Sequence, residues 1–334
     1  MTVKFTRRTA LTAAAALPLA ATARSASASA ELAKAPASHT RSFKLGDFTV
    51  TTLLDGSRPV ENPQPIFGGG ASDAEFAATS AQNFIPTDVA QFFFTPTLVD
   101  TGQEKILFDT GLGQGGIQMA LAEVGLTPQD IDVVVLTHMH PDHIGGMTTA
   151  GAETFSKARY ITGRQEFDFW GTQAEGNRIG DLMAKKVTPF AEKLSFLEDG
   201  GSVASGISAV ASFGHTPGHM GYMLDSGGQQ LMLTADLANH YVWSFAHPDW
   251  EVKFDMDKEA ATGARRKILD MLASTRTPMI GYHMPFPAAG YVETRGSGFR
   301  FGNNRALSHH SFDRLLPPTH FLLPHPPHIP PPHH

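Results

Sequence analysis

The sequence predicts an α/β fold in which two packed sheets are covered by helices on their outer faces. Strand-like patterns fall into two groups along the chain, and helical patterns lie between these groups and after the second one. Of the 334 residues, 41% are hydrophobic and 17% are charged, which is typical of a globular protein with a sizeable core. Strands in two groups with helices between and after them favour two sheets over one.

The first group of strands contains three segments. Residues 43–56, FKLGDFTVTTLLDG, alternate and break as a hairpin does. Residues 91–111, QFFFTPTLVDTGQEKILFDTG, read as two strands around a turn at Thr101 and Gly102. Residues 130–137, DIDVVVLT, form a continuous apolar run, which predicts a short buried strand.

The second group of strands lies in the later half of the chain. Its segments are ISAVASFG at 207–214, HMGYMLDSGGQQLMLTAD at 219–236 and TPMIGYH at 277–283. Helical periodicity predicts four helices, over residues 117–124, 164–173, 179–197 and 258–272.

The two ends of the chain differ from its middle. Arg7 and Arg8 precede an Ala-rich apolar run at 10–23 and small residues at 26–30, a pattern that resembles a twin-arginine export signal. An ordinary secretory signal is the alternative. We therefore predict that residues 1–30 are removed, that residues 31–306 form one domain, and that the mature protein is periplasmic or secreted without a membrane anchor.

The C-terminal residues 307–334 are rich in histidine and proline, and the prolines predict a disordered tail. A frame-shifted end and a metal-scavenging segment are two interpretations of this tail.

Composition excludes several classes of partner and site. The formal net charge of −6 provides no basic surface for nucleic acid, so we expect no nucleic-acid partner. The chain has no cysteine, which excludes disulfides and thiolate ligands. Any metal must therefore be held by histidines and carboxylates.

The segment LTHMHPDHIGG, residues 136–146, carries the strongest chemical signal. His138, His140, Asp142 and His143 follow a buried strand, and Pro141 keeps a helix from starting before Asp142. Alternation in extended chain points the first two histidines the same way, while the turn after the proline sends the other two side chains to a neighbouring point. This pattern predicts two metal half-sites, whose ligands suit zinc, manganese, iron or cobalt.

The spacing His138-x-His140-x-Asp142-His143 resembles the metal-binding motif of the metallo-β-lactamase superfamily. The resemblance implies that superfamily's αββα sandwich, two packed mixed sheets flanked by helices. It also implies that residues 31–306 form a single catalytic domain.

Four later motifs extend the resemblance. Asp109 in FDTG would support the metal loop, His215 in GHTPGH would be a ligand, and His219 in the same motif would support the site without binding metal. Asp236 in LTAD has the position of the superfamily's bridging carboxylate, and His283 in IGYH that of its final ligand.

The resemblance implies two divalent cations per chain, most simply zinc, with manganese, iron or cobalt as alternatives. One cation would be held by His138, His140 and His215, the other by Asp142, His143 and His283, with Asp236 between them.

Two cations so placed can share a water and supply hydroxide near neutral pH. The resemblance therefore implies a hydrolase whose nucleophile is a metal-bridging hydroxide, with Asp142 and Asp236 as the catalytic carboxylates.

The absence of certain residues indicates which branch of the superfamily the chain resembles. The lack of cysteine and the presence of His143 exclude the β-lactamase branches with a cysteine ligand, and nothing after Phe301 could form the helical domain of glyoxalase II-like enzymes. The chain is most similar to methyl parathion hydrolase-like enzymes and to the acyl-homoserine lactonases, although the lactonases' tyrosine after the bridging aspartate is replaced by Leu237, Ala238 and Asn239.

Aromatic residues near the motifs could wall a pocket for an apolar substrate. The candidates are Trp170, Phe169, Trp243 and Phe286. We expect ordinary core packing for Phe92 to Phe94, and a solvated helix face for Arg265 and Arg266.

Three hypotheses follow. The first is an exported hydrolase of organophosphate triesters or aryl esters, and the second is a quorum-quenching acyl-homoserine lactone lactonase. The third, from another class, is a metal-binding or metal-buffering exported protein that uses its tail. The substrate would be a small apolar ester, phosphotriester or lactone, and the resemblance leaves a homodimer open.

Overall fold

The computed structural model describes residues 38–173 and 175–302. The predicted export signal and the histidine- and proline-rich tail lie outside the described residues. Among the described residues, no helix is long and apolar enough to cross a membrane.

The described chain contains eighteen strands of two to seven residues each. They are β1 (Thr40–Leu45), β2 (Phe48–Leu53), β3 (Gly56–Glu61), β4 (Val89–Phe94), β5 (Thr97–Asp100), β6 (Lys105–Phe108), β7 (Val133–Leu136), β8 (Thr148–Thr149), β9 (Ala152–Glu153), β10 (Arg159–Gly163), β11 (Leu194–Leu197), β12 (Ser202–Ala204), β13 (Ile207–Ala211), β14 (Met220–Ser226), β15 (Gln229–Ala235), β16 (Met279–Gly281), β17 (Ala289–Arg295) and β18 (Gly298–Gly302).

The helices lie between these strands. They are α1 (Gln64–Phe67), α2 (Asp73–Gln82), α3 (Gly116–Glu123), α4 (Pro141–Ile144), α5 (Arg164–Gly171), α6 (Arg178–Lys186), α7 (Trp243–Ala246) and α8 (Lys258–Thr275).

The strands form two large mixed sheets, as the two groups in the sequence predict. The first has the order β1-β2-β5-β6-β7-β10-β11, and the second has the order β12-β13-β14-β15-β16-β17-β18. Pairing is parallel from β6 through β7 and β10 to β11, and again between β15 and β16. The other neighbours in the two sheets are antiparallel.

Strand β7 shows how the layers are arranged. Val133 and Val135 belong to the apolar cluster that both sheets share, whereas Val134 and Leu136 pack on the other side with residues of α3, α5 and α6. Because side chains alternate along a strand, a strand that is apolar on both faces must be covered on both. Helix α8 covers the second sheet with Ile268 and its apolar neighbours. The predicted αββα sandwich is confirmed.

The helix predicted over residues 179–197 is wrong in its second half. Helix α6 ends at Lys186, a 3-10 segment spans Thr188–Lys193, and Leu194–Leu197 is the edge strand β11. Pro189 explains the break, because proline lacks the N–H that a continuing helix needs and clashes with the preceding turn.

Residues 91–111, predicted as two strands, contribute to three strands in the structure, β4, β5 and β6. Strand β4 pairs with β3 in a separate two-stranded sheet, and β5 and β6 belong to the first large sheet. Pro96 stands between β4 and β5, where its missing N–H ends one ladder and allows the chain to enter another.

Candidate metal centre

The predicted metal loop follows β7 and leads into α4. His138 and His140 come from the extended chain after the strand, and Asp142 and His143 come from the first turn of α4, which Pro141 begins. His138 and His143 are fully buried, and the Asp142 side chain is 20% exposed. This loop therefore contributes two pairs of side chains that reach neighbouring points, as the alternation predicts.

Three residues from the second half of the chain complete the site. His215 lies in the loop between β13 and β14, Asp236 follows β15, and His283 comes two residues after β16. Strands β15 and β16 are parallel neighbours, so their carboxyl ends deliver Asp236 and His283 to the same edge of the second sheet. All three side chains are buried.

The structure brings the predicted ligands together in two groups. Potential ligand atoms lie within 4.8 Å of one another inside each group. The first group is His138, His140, His215 and Asp236, and the second is Asp142, His143 and His283.

Asp236 contacts both groups. Its Oδ2 lies 3.3 Å from Nε2 of His215 and 2.9 Å from Nε2 of His283, and its Oδ1 lies 3.2 Å from Nε2 of His143. A carboxylate in that position can bridge two cations, one in each group.

Hydrogen bonds on the far side of the rings fix which nitrogen faces the site. Nδ1 of His283 donates to the backbone carbonyl of Phe93 at 2.7 Å, and Nδ1 of His143 donates to Asp109 at 2.8 Å. Each bond leaves Nε2 directed at the other ligands, as is usual for histidines that bind metal.

Asp109 occupies the supporting position that the sequence predicts. Its Oδ1 accepts the backbone N–H of Thr137, and its Oδ2 accepts both the Thr137 hydroxyl and Nδ1 of His143. The carboxylate thereby joins the start of the metal loop to one of its ligands without entering the ligand groups.

His219 also lies beside the ligand groups. Its Nε2 accepts the backbone N–H of Asp236 at 3.0 Å, and its Nδ1 lies 3.1 Å from the carbonyl oxygen of Ser212. Burial lowers the pKa of His219 to about 3, so the ring is neutral. Since its Nε2 accepts the backbone N–H of Asp236, the ring fixes the backbone of the bridging aspartate and does not use this nitrogen as a metal ligand.

The charges of the site suit divalent cations. Burial lowers the pKa of His138 and His140 well below the usual histidine value, and the neighbouring imidazoles lower it further. Burial raises the pKa of Asp236, but the nearby His283 and His143 outweigh it and hold that pKa well below its ordinary value. Burial also opposes protonation of His143 and His215, but the carboxylates beside them outweigh it, raising the pKa of His143 well above its usual value and that of His215 to about 9. His138, His140 and Asp236 are thus in the forms that bind metal, and a cation would displace the proton from His143 and His215.

Three buried atoms of the site lack a hydrogen-bond partner among the described residues. They are Nε2 of His138, Nε2 of His143 and Oδ1 of Asp236. Nε2 of His143 and Oδ1 of Asp236 lie 3.2 Å apart but form no hydrogen bond with each other. Buried polar atoms are nearly always paired, so unpaired atoms in both ligand groups indicate missing partners. Nitrogen and oxygen ligands without sulfur suit zinc, manganese, iron or cobalt, and the residues fit two such ions.

Residues 95–283, more than half of the chain, match the sequence model of the Metallo-beta-lactamase superfamily. The chain belongs to the metallo-beta-lactamase superfamily. The resemblance drawn from the motifs is confirmed, and the chain is a metal-dependent hydrolase of this superfamily.

Several solved members of the superfamily share the fold of this chain. AidC, a dizinc quorum-quenching lactonase solved with the product N-hexnoyl-L-homoserine, superposes with a TM-score of 0.75 and 29% identity. The match covers 79% of this chain and 97% of AidC.

Curated relatives match over shorter stretches. The N-acyl homoserine lactonase of Bacillus cereus is 24% identical over 194 residues, which is 53% of this chain and 72% of that protein. The exodeoxyribonuclease WalJ of Streptococcus pneumoniae is 41% identical over 49 residues, which is 15% of this chain and 18% of that protein. This chain therefore matches only a short segment of the nuclease.

Two of the predicted pocket residues of this superfamily member are buried in its core. Trp170 is 3% exposed, and its indole N–H donates to Glu166 at 2.7 Å. Trp243 is fully buried, stacks on His240 and donates to the hydroxyl of Ser80 at 3.0 Å. Their polar atoms are satisfied inside the protein, and the ring of Trp170 lies 6.4 Å from that of the ligand His140. Their role in a pocket stays a prediction.

The other two aromatic candidates are half-buried. Phe169 packs edge-to-face against Trp170, with ring centroids 4.9 Å apart, and Phe286 lies three residues after His283. Their role in a pocket stays a prediction. The Phe92 to Phe94 segment packs as expected, since Phe92 and Phe94 are buried, and Phe92 also stacks on His283 with ring centroids 3.9 Å apart.

Glu166 is a residue of the site that the motifs did not indicate. Its fully buried carboxylate accepts hydrogen bonds from the backbone N–H groups of Met139 and Gly218, the hydroxyl of Thr216 and the indole of Trp170. Met139 lies between two ligands of the metal loop, and Thr216 follows the ligand His215. One carboxylate therefore joins two ligand-bearing loops, and its only sequence signal is an acidic residue within the aromatic run EFDFW.

Proposed function

We propose that this protein is a lactonase that opens N-acyl homoserine lactones. The observation that carries the proposal is the pair of ligand groups joined by Asp236, set in a fold that matches a dizinc lactonase over most of both chains. The lactonase from Bacillus cereus supports the same substrate class.

The residues of the site suit ester hydrolysis. The chemistry that bound divalent cations supply is the activation of a water and the polarisation of an ester carbonyl. Asp236 holds the two ligand groups together, and Asn239 donates to its Oδ2 at 3.1 Å, which keeps that carboxylate oriented. Asp142 is the most exposed carboxylate of the site, at 20%, so substrate and solvent can reach the site beside it. No serine or cysteine nucleophile is needed.

An apolar surface continues from the metal ligands and suits an acyl chain. Phe92 stacks on His283, and Phe254 packs against Phe92 with ring centroids 6.2 Å apart. Phe254 remains 36% exposed, and Met256, two residues later, is 45% exposed. The backbone N–H of Met256 donates to the carbonyl of His215, so the backbone of this segment lies beside a ligand. We assign the acyl chain of the substrate to this surface.

Organophosphate triesters and aryl esters are the second candidate. Their main sequence support is Trp170 as part of a leaving-group pocket, and at 3% exposure this residue offers little surface to a leaving group. The lactone is therefore the preferred substrate, and the same experiment tests both classes.

Parallel assays of the purified, zinc-loaded protein distinguish the candidates. The substrates are butanoyl, hexanoyl and decanoyl homoserine lactones, a p-nitrophenyl dialkyl phosphate and p-nitrophenyl acetate. We expect kcat/KM for the lactones to exceed the other values by at least about tenfold, and Asp236→Asn to abolish all turnover. Turnover of the phosphate or the aryl ester with intact lactones would refute the proposal.

Export and metal identity belong to the same proposal. We propose that Arg7 and Arg8 direct the protein to the periplasm or beyond, and that zinc fills both sites. Replacing both arginines by lysine should retain the protein in the cytoplasm, and elemental analysis should find two zinc ions per chain. Unchanged export, or another metal in freshly purified protein, would contradict these points.

The metal-buffering alternative is tested by truncation. Removing residues 307–334 should leave two tightly bound metals and full turnover if the protein is an enzyme. Loss of most of the bound metal on truncation would favour a buffer.

A further inference from the structure

A buried arginine lies behind the metal centre, where it contacts the segment after Asp236 and the carboxylate of Asp255, which in turn contacts the ligand His215. Arg265 of α8 is fully buried, whereas the sequence predicted a solvated position for it. A buried guanidinium is costly unless its donors are paired, and in this protein they are. Nη2 donates to Asp255 at 2.6 Å, Nε donates to the carbonyl of Leu237 at 2.8 Å, and Nη1 donates to the carbonyl of Pro248 at 2.9 Å.

Asp255 transmits this contact to a ligand. Its side chain is fully buried, Oδ2 accepts from Arg265, and Oδ1 lies 2.9 Å from Nδ1 of His215. A carboxylate can only accept, so the Nδ1 of His215 carries the proton and its Nε2 is left free to face the other ligands.

The second contact of Arg265 reaches the bridging aspartate. Leu237 directly follows Asp236, so Nε of Arg265 holds the backbone immediately after the carboxylate that joins the two ligand groups. The same guanidinium is thus bound to Asp255, which supports His215, and to the segment that follows Asp236.

From these contacts we infer that Asp255 and Arg265 form a positioning pair: Arg265 fixes the carboxylate of Asp255, which sets the tautomer of His215 and so determines the affinity of the first ligand group for its cation. The inference rests on the metal centre of the proposed function, but not on which ester is cleaved. Neither residue touches the substrate. Each acts through a ligand that it holds.

The Asp255→Asn variant is the most direct test. The carboxylate serves two donors at once, and an amide offers one oxygen and one N–H₂ group in its place, so one of the two contacts must be lost. If the amide nitrogen faces His215, the proton moves to Nε2, the atom that should bind metal. We expect about a 10- to 100-fold weaker affinity for one zinc ion per chain, with the second ion held as before.

A matched control lies on the same helix. Arg266, the next residue, pairs with Asp249 at the surface and contacts no ligand-bearing segment. Asp249→Asn and Arg266→Gln should therefore leave both zinc affinities and the turnover unchanged.

A double variant separates positioning from stability. Replacing a buried ion pair by apolar residues of similar size is often neutral for folding. In Asp255→Leu/Arg265→Met, we expect an apo protein that unfolds near the wild-type temperature, while His215 lacks its acceptor and the first zinc ion binds weakly.

The measurements are zinc affinity by competition with a chromophoric chelator, metal stoichiometry, and the visible spectrum of the cobalt-substituted protein. Wild-type affinity for both ions in Asp255→Asn, or in the double variant if that variant folds, would overturn the inference. Equal weakening of both ions would also overturn it, since that pattern signals general destabilisation. A wild type that binds two zinc ions but opens no lactone would refute the proposed substrate and leave this inference standing.

Discussion

The backbone N–H of Asp236 donates to Nε2 of His219, which places the second histidine of GHTPGH behind the bridging carboxylate. The other ring nitrogen faces Ser212. His219 thus connects the loop of the ligand His215 to the end of β15.

His219→Ala should leave that buried N–H unpaired. We expect a loss of about 1–3 kcal/mol in the free energy of unfolding and a weaker affinity for metal. His219→Gln can accept from Asp236 and donate to Ser212, so it should recover most of the loss. Chemical denaturation and metal analysis measure both effects. If His219→Ala lost metal as completely as His215→Ala, His219 would be a ligand.

Glu166→Gln should loosen the two ligand loops that the carboxylate joins. Oε1 accepts from Met139 and Trp170, and Oε2 accepts from Thr216 and Gly218. In the glutamine, one carboxylate oxygen is replaced by an N–H₂ group, which would face the backbone N–H of either Gly218 or Met139. These backbone donors cannot reorient. We expect about 1–3 kcal/mol of destabilisation together with weaker metal binding.

The control for Glu166→Gln is Asp168→Asn, two residues later on the same helix, where the carboxylate is exposed. It should change neither stability nor metal content. Wild-type stability and zinc affinity in Glu166→Gln would show that the carboxylate does not fix the loops.

Gly218→Ala should be destabilising because of a close backbone approach. A Cβ at Gly218 would lie 2.2 Å from the backbone nitrogen of Glu166, which cannot move without shifting α5. We expect a cost of about 1–3 kcal/mol, measured by chemical denaturation. Gly171→Ala at the end of the same helix meets no atom within 4 Å and should be nearly neutral. Equal stabilities of the two variants would argue against this packing.

Removal of metal should destabilise the protein and abolish turnover together. Without a cation, Nε2 of His143 and Oδ1 of Asp236 remain buried without hydrogen-bond partners. Because a cation binds the folded state only, zinc should raise the unfolding temperature in proportion to the logarithm of its concentration above Kd. Calorimetry after chelation, and after zinc is restored, measures this effect.

His143→Ala and Asp236→Ala serve the same test. Each should lower the metal content and the activity in parallel. Full activity with an empty site in either variant would contradict a centre of two metals.

Phe254→Ala should reduce the preference for long acyl chains. The exposed face of Phe254 continues the apolar surface from Phe92, and each methylene buried against it contributes about 0.8 kcal/mol. We expect kcat/KM to fall several-fold for decanoyl homoserine lactone and little for the butanoyl compound. Phe84→Ala, at a residue that is 96% exposed, is the control and should change neither value. An equal loss for both chain lengths would place the acyl chain elsewhere.

The sequence by itself determined the metal-binding chemistry and the fold class. Ligand identity depends on local spacing: two histidines in extended chain and two side chains after Pro141 must reach neighbouring points, and the structure shows that they do. The two strand groups predicted the two sheets for a similar reason, since the period of the pattern is local. The same reasoning failed over 179–197, where the proline within an apolar pattern outweighed the periodicity.

Only the tertiary structure decided what stands behind the ligands. Trp170 and Arg265 have side chains that suit either a surface or an interior, and their positions depend on partners that distant segments provide. Asp255 lies 40 residues from His215 in the sequence, and Gly218 lies 52 residues from Glu166. Such pairs leave no periodic signal along the chain, because a buried charge or indole is stable only where the folded layers bring a complementary group within hydrogen-bonding distance.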